Sequence, residues 1–346
     1  MSFSDMQADI RPNRAKQKAI SFVCESAENR ISGGYIYNQQ VFKYLTQIGW
    51  SITTYTPEQS LLIDPSNLII IDSIAIEEFA TRWGARPLPS APILLCHLPP
   101  EKQVKTETEA LESVAYLKSM IEKSHVITTG SACSSYMMQN YNLLQEQIFE
   151  VKPGLKENWQ CKTSYSPLPS KLLVVANLIP NKGYEILLNS LSQLLELPWT
   201  LDIYGDEGFA PHYAQEILAS IKSKRLSDRI RYHGTADQAA INAAMVNADL
   251  FVQLSPYEPY SMVSLEAIAS GLPMLSAQSG EVSDFIESKS VRYLKTHTIN
   301  SVVEDLNDLM TRASAYFAIT PKQKIEVRNW EQVGREFANV IGPFHE

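Results

Sequence analysis

The feature that most constrains this chain is an alternation of short β-branched apolar runs with helix-periodic stretches, sustained from residue 19 almost to the end. A run such as AISFVC, residues 19–24, is too short for a helix and reads as a buried strand. Strands alternating with helices form a parallel sheet covered on both faces. In a first block, strands are expected at 19–24, 51–55, 68–72, 93–97, 126–129 and 149–151, and helices at 35–49, 74–83, 105–123 and 131–141. Residues 156–168 break the rhythm, with Pro167 and Pro169 discouraging regular structure, and a linker is placed there. A second block then repeats the pattern. Its strands are expected at 172–176, 200–204, 230–233, 250–254, 274–277 and 291–294, with helices at 183–195, 214–223, 237–247, from 261, after 280, at 299–313 and at 330–341. A length of 346 residues suits two such domains better than one core. The expected fold class is therefore α/β, two doubly wound Rossmann-like halves of similar size. In such sheets a ligand sits beyond the carboxyl ends of the strands, here in the cleft between the halves.

Composition closes off several classes. No apolar run approaches the roughly 18 residues of a membrane span. The N-terminus, 1–18, is polar, lacks the apolar region of a secretory signal, and is expected to be disordered. A net charge of −8 argues against nucleic acid as a partner, and gives no support for general adhesion to anionic lipid. The four cysteines are far apart, without metal-ligand spacing, and the histidines are scattered, so no metal site is expected. Unframed thiols suit a reducing cytoplasm.

Several stretches could carry chemistry. In SPYEPYSMVSLEAIASGLP, residues 255–273, an apolar run leads to a turn and then a helix opening near Ser261. A helix mouth of that kind aims free backbone N–H groups at an anion. Glu258 and Glu266 bracket the turn with seven residues between them. On a helix Glu266 shares the stripe of Met262, Leu265 and Ala269, where a carboxylate needs a hydrogen-bonding partner, either a nearby Lys or Arg or a ligand. Gly33 and Gly34 open a helix and either form a plain turn or admit a phosphate or sugar closely. They are not GxGxxG. Lys182 stands at another helix mouth, solvated or facing a phosphate, without a P-loop sequence around it. His97 ends an apolar strand, satisfied by backbone or placed for function. Gly205 and the pair His233 and Gly234 close two further strands at the edge where a nucleotide could lie, or form ordinary turns.

The ordered set of these pieces resembles the retaining GT-B glycosyltransferases of family 4, a compact bacterial-type subgroup, over nearly the whole chain. The residues that carry the resemblance are the Glu258–Glu266 pair, KLLVVANLIPNKG, IYGDEG, RIRYHGTAD, SGGYIYNQQVFKYLTQIGW, LLCHLPP and HVITTGSACSSYM. The resemblance implies an acceptor-side domain at 19–165, a nucleotide-sugar domain at 166–328, and a helix at 329–346 crossing back to the first. It implies that Glu258 hydrogen-bonds hydroxyls of the donor sugar and Glu266 the ribose. Backbone N–H groups of Ser261, Met262 and Val263 would hold the distal phosphate, with Lys182 opposing its charge and Tyr260 beside them in the donor site. Gly205, His233 and Gly234 would lie by the base and ribose. Gly33 and Gly34 would admit the diphosphate, and His97 would stand near the reacting sugar. Three positions depart from the pattern. Asn177 stands where an Arg facing the diphosphate is usual, Pro259 and Ser261 replace glycines, and the subgroup's paired His is Cys96-His97.

The function implied is transfer of a hexose from a UDP- or GDP-sugar to a hydroxyl acceptor, with retention and no metal or other cofactor, in polysaccharide, glycan or glycolipid assembly. A lipid-linked acceptor would bring the chain into peripheral contact with a membrane. The alternative, to which Asn177 points, is a weakly active or inactive GT-B protein acting as a nucleotide-binding or partner module.

Overall fold

The computed structural model describes residues 18–25, 32–83, 91–100, 111–156, 159–278, 290–319 and 327–345. The first block holds β1 (Ala19–Val23), α1 (Gly33–Gln47), β2 (Ser51–Tyr55), β3 (Leu68–Asp72), α2 (Ile76–Trp83), β4 (Ile93–Cys96), α3 (Leu111–Glu122), β5 (His125–Thr128), α4 (Ser131–Tyr141) and β6 (Ile148–Glu150). The second holds β7 (Lys171–Val175), α5 (Tyr184–Leu191), β8 (Thr200–Tyr204), α6 (Pro211–Ser223), β9 (Ile230–Tyr232), α7 (Gln238–Asn247), β10 (Leu250–Gln253), α8 (Met262–Ala269), β11 (Met274–Ser276), β12 (Val291–Tyr293), α9 (Ile299–Thr311), α10 (Ala313–Ala318) and α11 (Trp330–Ile341).

These elements form two parallel six-stranded sheets, ordered β2-β1-β3-β4-β5-β6 and β12-β11-β10-β7-β8-β9. Strands covered on both faces are continuous apolar runs; all five residues of β3 (LIIID) are buried. The edge strand β2 (SITTY) is largely exposed. Helix starts are written in the sequence as caps: Ser32 accepts from Tyr35 N, Asp237 from Ala240 N, and Asn329 forms a capping box with Gln332. Among the described residues no helix is long and apolar enough to cross a membrane.

Where the elements differ from the sequence reading, local hydrogen bonding explains it. Helix α5 stops at Leu191 instead of 195 because Pro198 follows and the Leu194 carbonyl is taken by Trp199 Nε1 at 2.7 Å. A 3-10 helix at Pro57–Leu62 and the short α10 carry no strong periodicity and were not anticipated. The helix expected after 280, the start of the one expected at 105, and nearly all of the 1–18 tail lie outside the described residues.

Residues 159–165, expected within a linker, are pinned to the second sheet's helices. Trp159 Nε1 donates to Ser270 Oγ at 2.6 Å, Gln160 N to Asn242 Oδ1 at 2.9 Å, and Tyr165 Oη to the Gly271 carbonyl at 2.9 Å. Lys162 Nζ donates to the Ala248 carbonyl at 2.6 Å. At the other end of the chain, α11 packs on α1. Val333, Phe337 and Ile341 share a core with Ile20, Phe22, Tyr37 and Val41 of the first block. The two helices touch at Gly334, where a Cβ would fall 2.3 Å from Tyr44 Cγ.

Candidate functional site

Each sheet has one place where successive connections leave in opposite directions, and there the strand ends splay to form a crevice. In the first sheet it lies between β1 and β3, and in the second between β7 and β10. The candidate residues sit on segments leaving these strands or their immediate neighbours, except His233 and Gly234, which follow β9 one strand further out.

In the second sheet β7 and β10 are hydrogen-bonded neighbours, so their exits run side by side. The β7 exit turns at Pro180–Lys182 and enters α5 through Gly183 at φ +74. A Cβ on Gly183 would lie 2.5 Å from the Leu254 carbonyl of the β10 exit, so only glycine lets the two exits touch. This contact brings Lys182 Nζ onto Glu258 Oε1, an ion pair between residues 76 apart in sequence and largely withdrawn from solvent. Next to it, Gly205 follows β8 so closely that a Cβ would meet the Ala176 carbonyl at 1.9 Å.

The β10 exit then opens α8. Ser261 is its N-cap, with φ 60 and ψ 73, a left-handed conformation in which a non-glycine residue is uncommon. Its carbonyl accepts from the N–H groups of Ser264 and Leu265 at 3.1 and 3.2 Å. Among the described residues nothing accepts from the N–H groups of Ser261, Met262 or Val263. These are the donors that the resemblance to family 4 assigns to the distal phosphate. The helix mouth faces the first domain across the cleft, since a Cβ on Gly33 would lie 3.5 Å from Met262 Sδ. Tyr257 and Tyr136 of α4 also meet across it, ring centroids 6.5 Å apart.

Glu266 is 6 % exposed. The stripe of Met262, Leu265 and Ala269 does not single it out, because α8 is buried all round from Ser264 to Ala269 and Met262 is only half-buried. The 159–165 segment covers one side of the helix, with Trp159 Nε1 3.1 Å from the Glu266 carbonyl. No described residue hydrogen-bonds or neutralises the Glu266 carboxylate, and burial alone pushes its carboxyl up to about 8. Immediately before Lys182, Asn181 Oδ1 is likewise buried with no hydrogen-bond partner among the described residues.

The first sheet's crevice is built differently. His97, just beyond β4, is 9 % exposed in its side chain and its Nε2 lies 2.9 Å from Asn38 Oδ1. Asn38 Nδ2 donates to Asp72 Oδ2 at 2.8 Å, and Asp72 Oδ1 accepts from Ile74 N at 3.0 Å. Ser73 Oγ accepts from His97 N at 3.2 Å. The edge of the Tyr37 ring packs on the imidazole with centroids 5.1 Å apart, and Tyr37 in turn meets Trp330 of α11. Gly34 is close enough that a Cβ would lie 3.1 Å from His97 Cδ2. Burial lowers the His97 pKa against the opposing pull of Asp72 and keeps the ring neutral. Asn38 and Asp72 were missed from sequence. The signal available was a buried polar residue in each of two apolar elements, α1 and β3.

The remaining candidates are placed less directly. Asn177 Oδ1 accepts from Asp206 N at 3.1 Å, so its amide ties two loops together. The His233 ring is committed to Asp202 Oδ1 at 2.6 Å and stacks on Tyr204 with centroids 4.4 Å apart. Gly234, at φ +70, accepts through its carbonyl from Gly205 N at 2.9 Å, which joins the two loops beside the β7 exit. Tyr260 is buried. Among the described residues no group of three His, Cys, Asp or Glu side chains stands where it could hold a metal ion.

Comparison with known proteins gives this architecture its relatives. Residues 157–322 match the family model of glycosyl transferases group 1. Mannosylfructose-phosphate synthase of Agrobacterium fabrum is 26% identical over 164 residues, 43% of this chain and 36% of its own length. The chain spans 36%, 48% and 49% of three curated relatives it matches, about a third to a half of their length. In structure it is similar to sucrose-phosphate synthase of Thermosynechococcus elongatus, with a TM-score of 0.73 at 14% identity over 94% of this chain and 99% of that one. It is also similar to HepE of Anabaena, whose structure contains UDP and glucose, with a TM-score of 0.70 at 17% identity over 94% and 100%. The chain has the GT-B fold, and the match to the model of glycosyl transferases group 1 covers its residues 157–322, most of the second block.

Proposed function

We propose that this protein transfers a hexose from a nucleoside-diphosphate sugar to a hydroxyl acceptor, with retention of configuration and without a metal. The observation that carries this reading is the inventory of unspent polar groups around the mouth of α8: three free N–H groups and the buried Glu266 carboxylate, beside the Lys182–Glu258 pair. Buried polar groups without partners are rare unless a ligand supplies them. A diphosphate suits the amides and Lys182, and a ribose suits Glu266. A sugar lying between Lys182 and His97 would donate hydrogen bonds from its hydroxyls to Glu258.

Departure of the nucleoside diphosphate develops negative charge on its distal phosphate and positive charge on the sugar ring. Fixed amide dipoles and a lysine stabilise the first charge before reaction begins, so little reorganisation is needed in the transition state. The leaving phosphate can take the acceptor's proton on the same face of the ring, which retains configuration and requires no enzyme nucleophile. Lys182 must leave Glu258 for the phosphate when the donor binds, freeing the carboxylate for sugar hydroxyls. The structure of HepE with UDP and glucose supports a nucleotide and a sugar as the occupants of this fold's cleft. UDP- and GDP-sugars are the donors favoured, and assembly of a polysaccharide, glycan or glycolipid is the setting.

A second reading, a nucleotide-binding or partner module, draws on one observation: Asn177 adds no charge to the diphosphate site and spends its carbonyl on Asp206 N. Turnover separates the two. Incubation with a panel of UDP-, GDP- and ADP-sugars should release nucleoside diphosphate from at least one of them. Micromolar nucleotide binding with no release from any donor, with or without simple sugar acceptors, establishes the module instead.

A further inference from the structure

We propose that Asn38 and Asp72 are positioning residues that hold His97 as a single tautomer, with its proton on Nε2 and the Nδ1 lone pair left for a hydroxyl of the bound sugar. The choice of sugar as ligand rests on the function proposed above; the tautomer rests on the geometry alone.

The assignment follows from which groups can only accept. An ionised carboxylate has no proton to give, so the Asn38 atom 2.8 Å from Asp72 Oδ2 must be the amide nitrogen. The other end of that amide, Oδ1, is then the atom facing His97 Nε2 at 2.9 Å, and a carbonyl oxygen also only accepts. His97 Nε2 therefore carries the hydrogen. With the ring neutral, Nδ1 is bare, and no described residue hydrogen-bonds it. The orientation of an amide or an imidazole is ordinarily ambiguous, but here the acidic end of the chain removes the ambiguity.

The network is also rigid. Asp72 is 1 % exposed and is anchored at its second oxygen by Ile74 N. Gly34, Tyr37 and Asn38 lie at i, i+3 and i+4 on one face of α1, so the same face that bonds Nε2 also flanks the ring. Gly34 leaves room for the imidazole, and Tyr37 packs its edge against it. A ring so held presents an acceptor of fixed direction. A hydroxyl that donates to Nδ1 is matched, whereas an Nδ1–H tautomer would present it with a proton.

Asp72→Asn tests this with almost no change of shape. Its Oδ1 can keep the Ile74 N–H bond, which leaves an amide NH₂ facing Asn38. Asn38 must then turn its own carbonyl towards residue 72 and its NH₂ towards His97, which drives the imidazole to the Nδ1–H form. The readout is the pair of ¹⁵N shifts of His97 in histidine-labelled protein, assigned with His97→Gln. Wild type should show a protonated Nε2 and an unprotonated Nδ1, and Asp72→Asn the reverse. Calorimetry supplies the second arm, comparing a UDP- or GDP-sugar with the matching nucleoside diphosphate. The extra affinity contributed by the sugar should fall about tenfold in Asp72→Asn and in Asn38→Ala, the size of one lost hydrogen bond, with nucleoside diphosphate affinity unchanged. An Nδ1–H ring in wild type, or a wild-type tautomer in Asp72→Asn, overturns the assignment. A reversed tautomer with undiminished sugar affinity overturns the role towards the sugar. Failure of every sugar nucleotide to bind overturns the function proposed above, while the ¹⁵N shifts still judge Asn38 and Asp72.

Discussion

The two crevices of this molecule occupy equivalent places in their sheets, yet they handle polar groups in opposite ways. Between β1 and β3 the chain running from Ile74 N through Asp72 and Asn38 to His97 Nε2 is closed, each member bonded to the next. Between β7 and β10 the accounts are open: three N–H groups, the Asn181 carbonyl and the Glu266 carboxylate have no partner among the described residues. A closed network makes a stiff wall, whereas an open one is stable only when something from outside completes it. The first crevice thus reads as the side that orients, and the second as the side that binds.

The largest expected effect comes from removing the Lys182 cation on the open side. Lys182→Ala should lower turnover of the best donor by about 10²–10³-fold, the usual loss when a fixed group opposing transition-state charge is deleted. Initial rates within threefold of wild type would break the contrast at once. Next comes the pH dependence of the unliganded protein. Burial pushes the Glu266 carboxyl up from its ordinary 4.5 to about 8 in the folded chain, so the folded state holds its proton more tightly. The protein is then most stable, as far as this group is concerned, below about 4.5, and loses that contribution as pH rises towards about 8. Glu266→Gln should flatten the slope by an amount on the order of a few kcal/mol across the window, measured by urea unfolding at several pH values. An unchanged slope would mean that the carboxylate has a partner in the free protein. The smallest effect sharpens the closed side. Gly334→Ala drives a Cβ into Tyr44 and should destabilise the α1–α11 contact by about 1–3 kcal/mol, without altering nucleotide affinity. A shift in nucleotide affinity would show that the two crevices are coupled through α11.

Much of this was legible in the chain before folding. The buried strands announced themselves as short β-branched runs, and helices such as Ser131–Tyr141 and Trp330–Ile341 fell within their expected bounds. Glu258, Glu266 and Lys182 stood out because carboxylates and a lysine beside helix mouths are conspicuous locally. What local pattern could not show was partnership. Lys182 meets Glu258 only because β10 lies beside β7, and His97 meets Asn38 only because β4 and α1 flank the same crevice. Asn38 and Asp72 look like incidental polar residues until strand order places them together. Asn177, expected at the diphosphate, also accepts from Asp206 N, a partner 29 residues away that no local pattern points to.

The central claim is that a nucleoside diphosphate supplies the partner that Glu266 lacks. Two ribose hydroxyls donating to the carboxylate would favour its ionised form, so binding near neutral pH should expel a proton. Calorimetric titration of UDP and GDP into the wild type and Glu266→Gln, in two buffers of different ionisation enthalpy, counts that proton directly. Wild type should release close to one proton per nucleotide, and Glu266→Gln should lose that release together with affinity. Binding of either nucleotide with equal affinity and equal proton release in both proteins would contradict the claim.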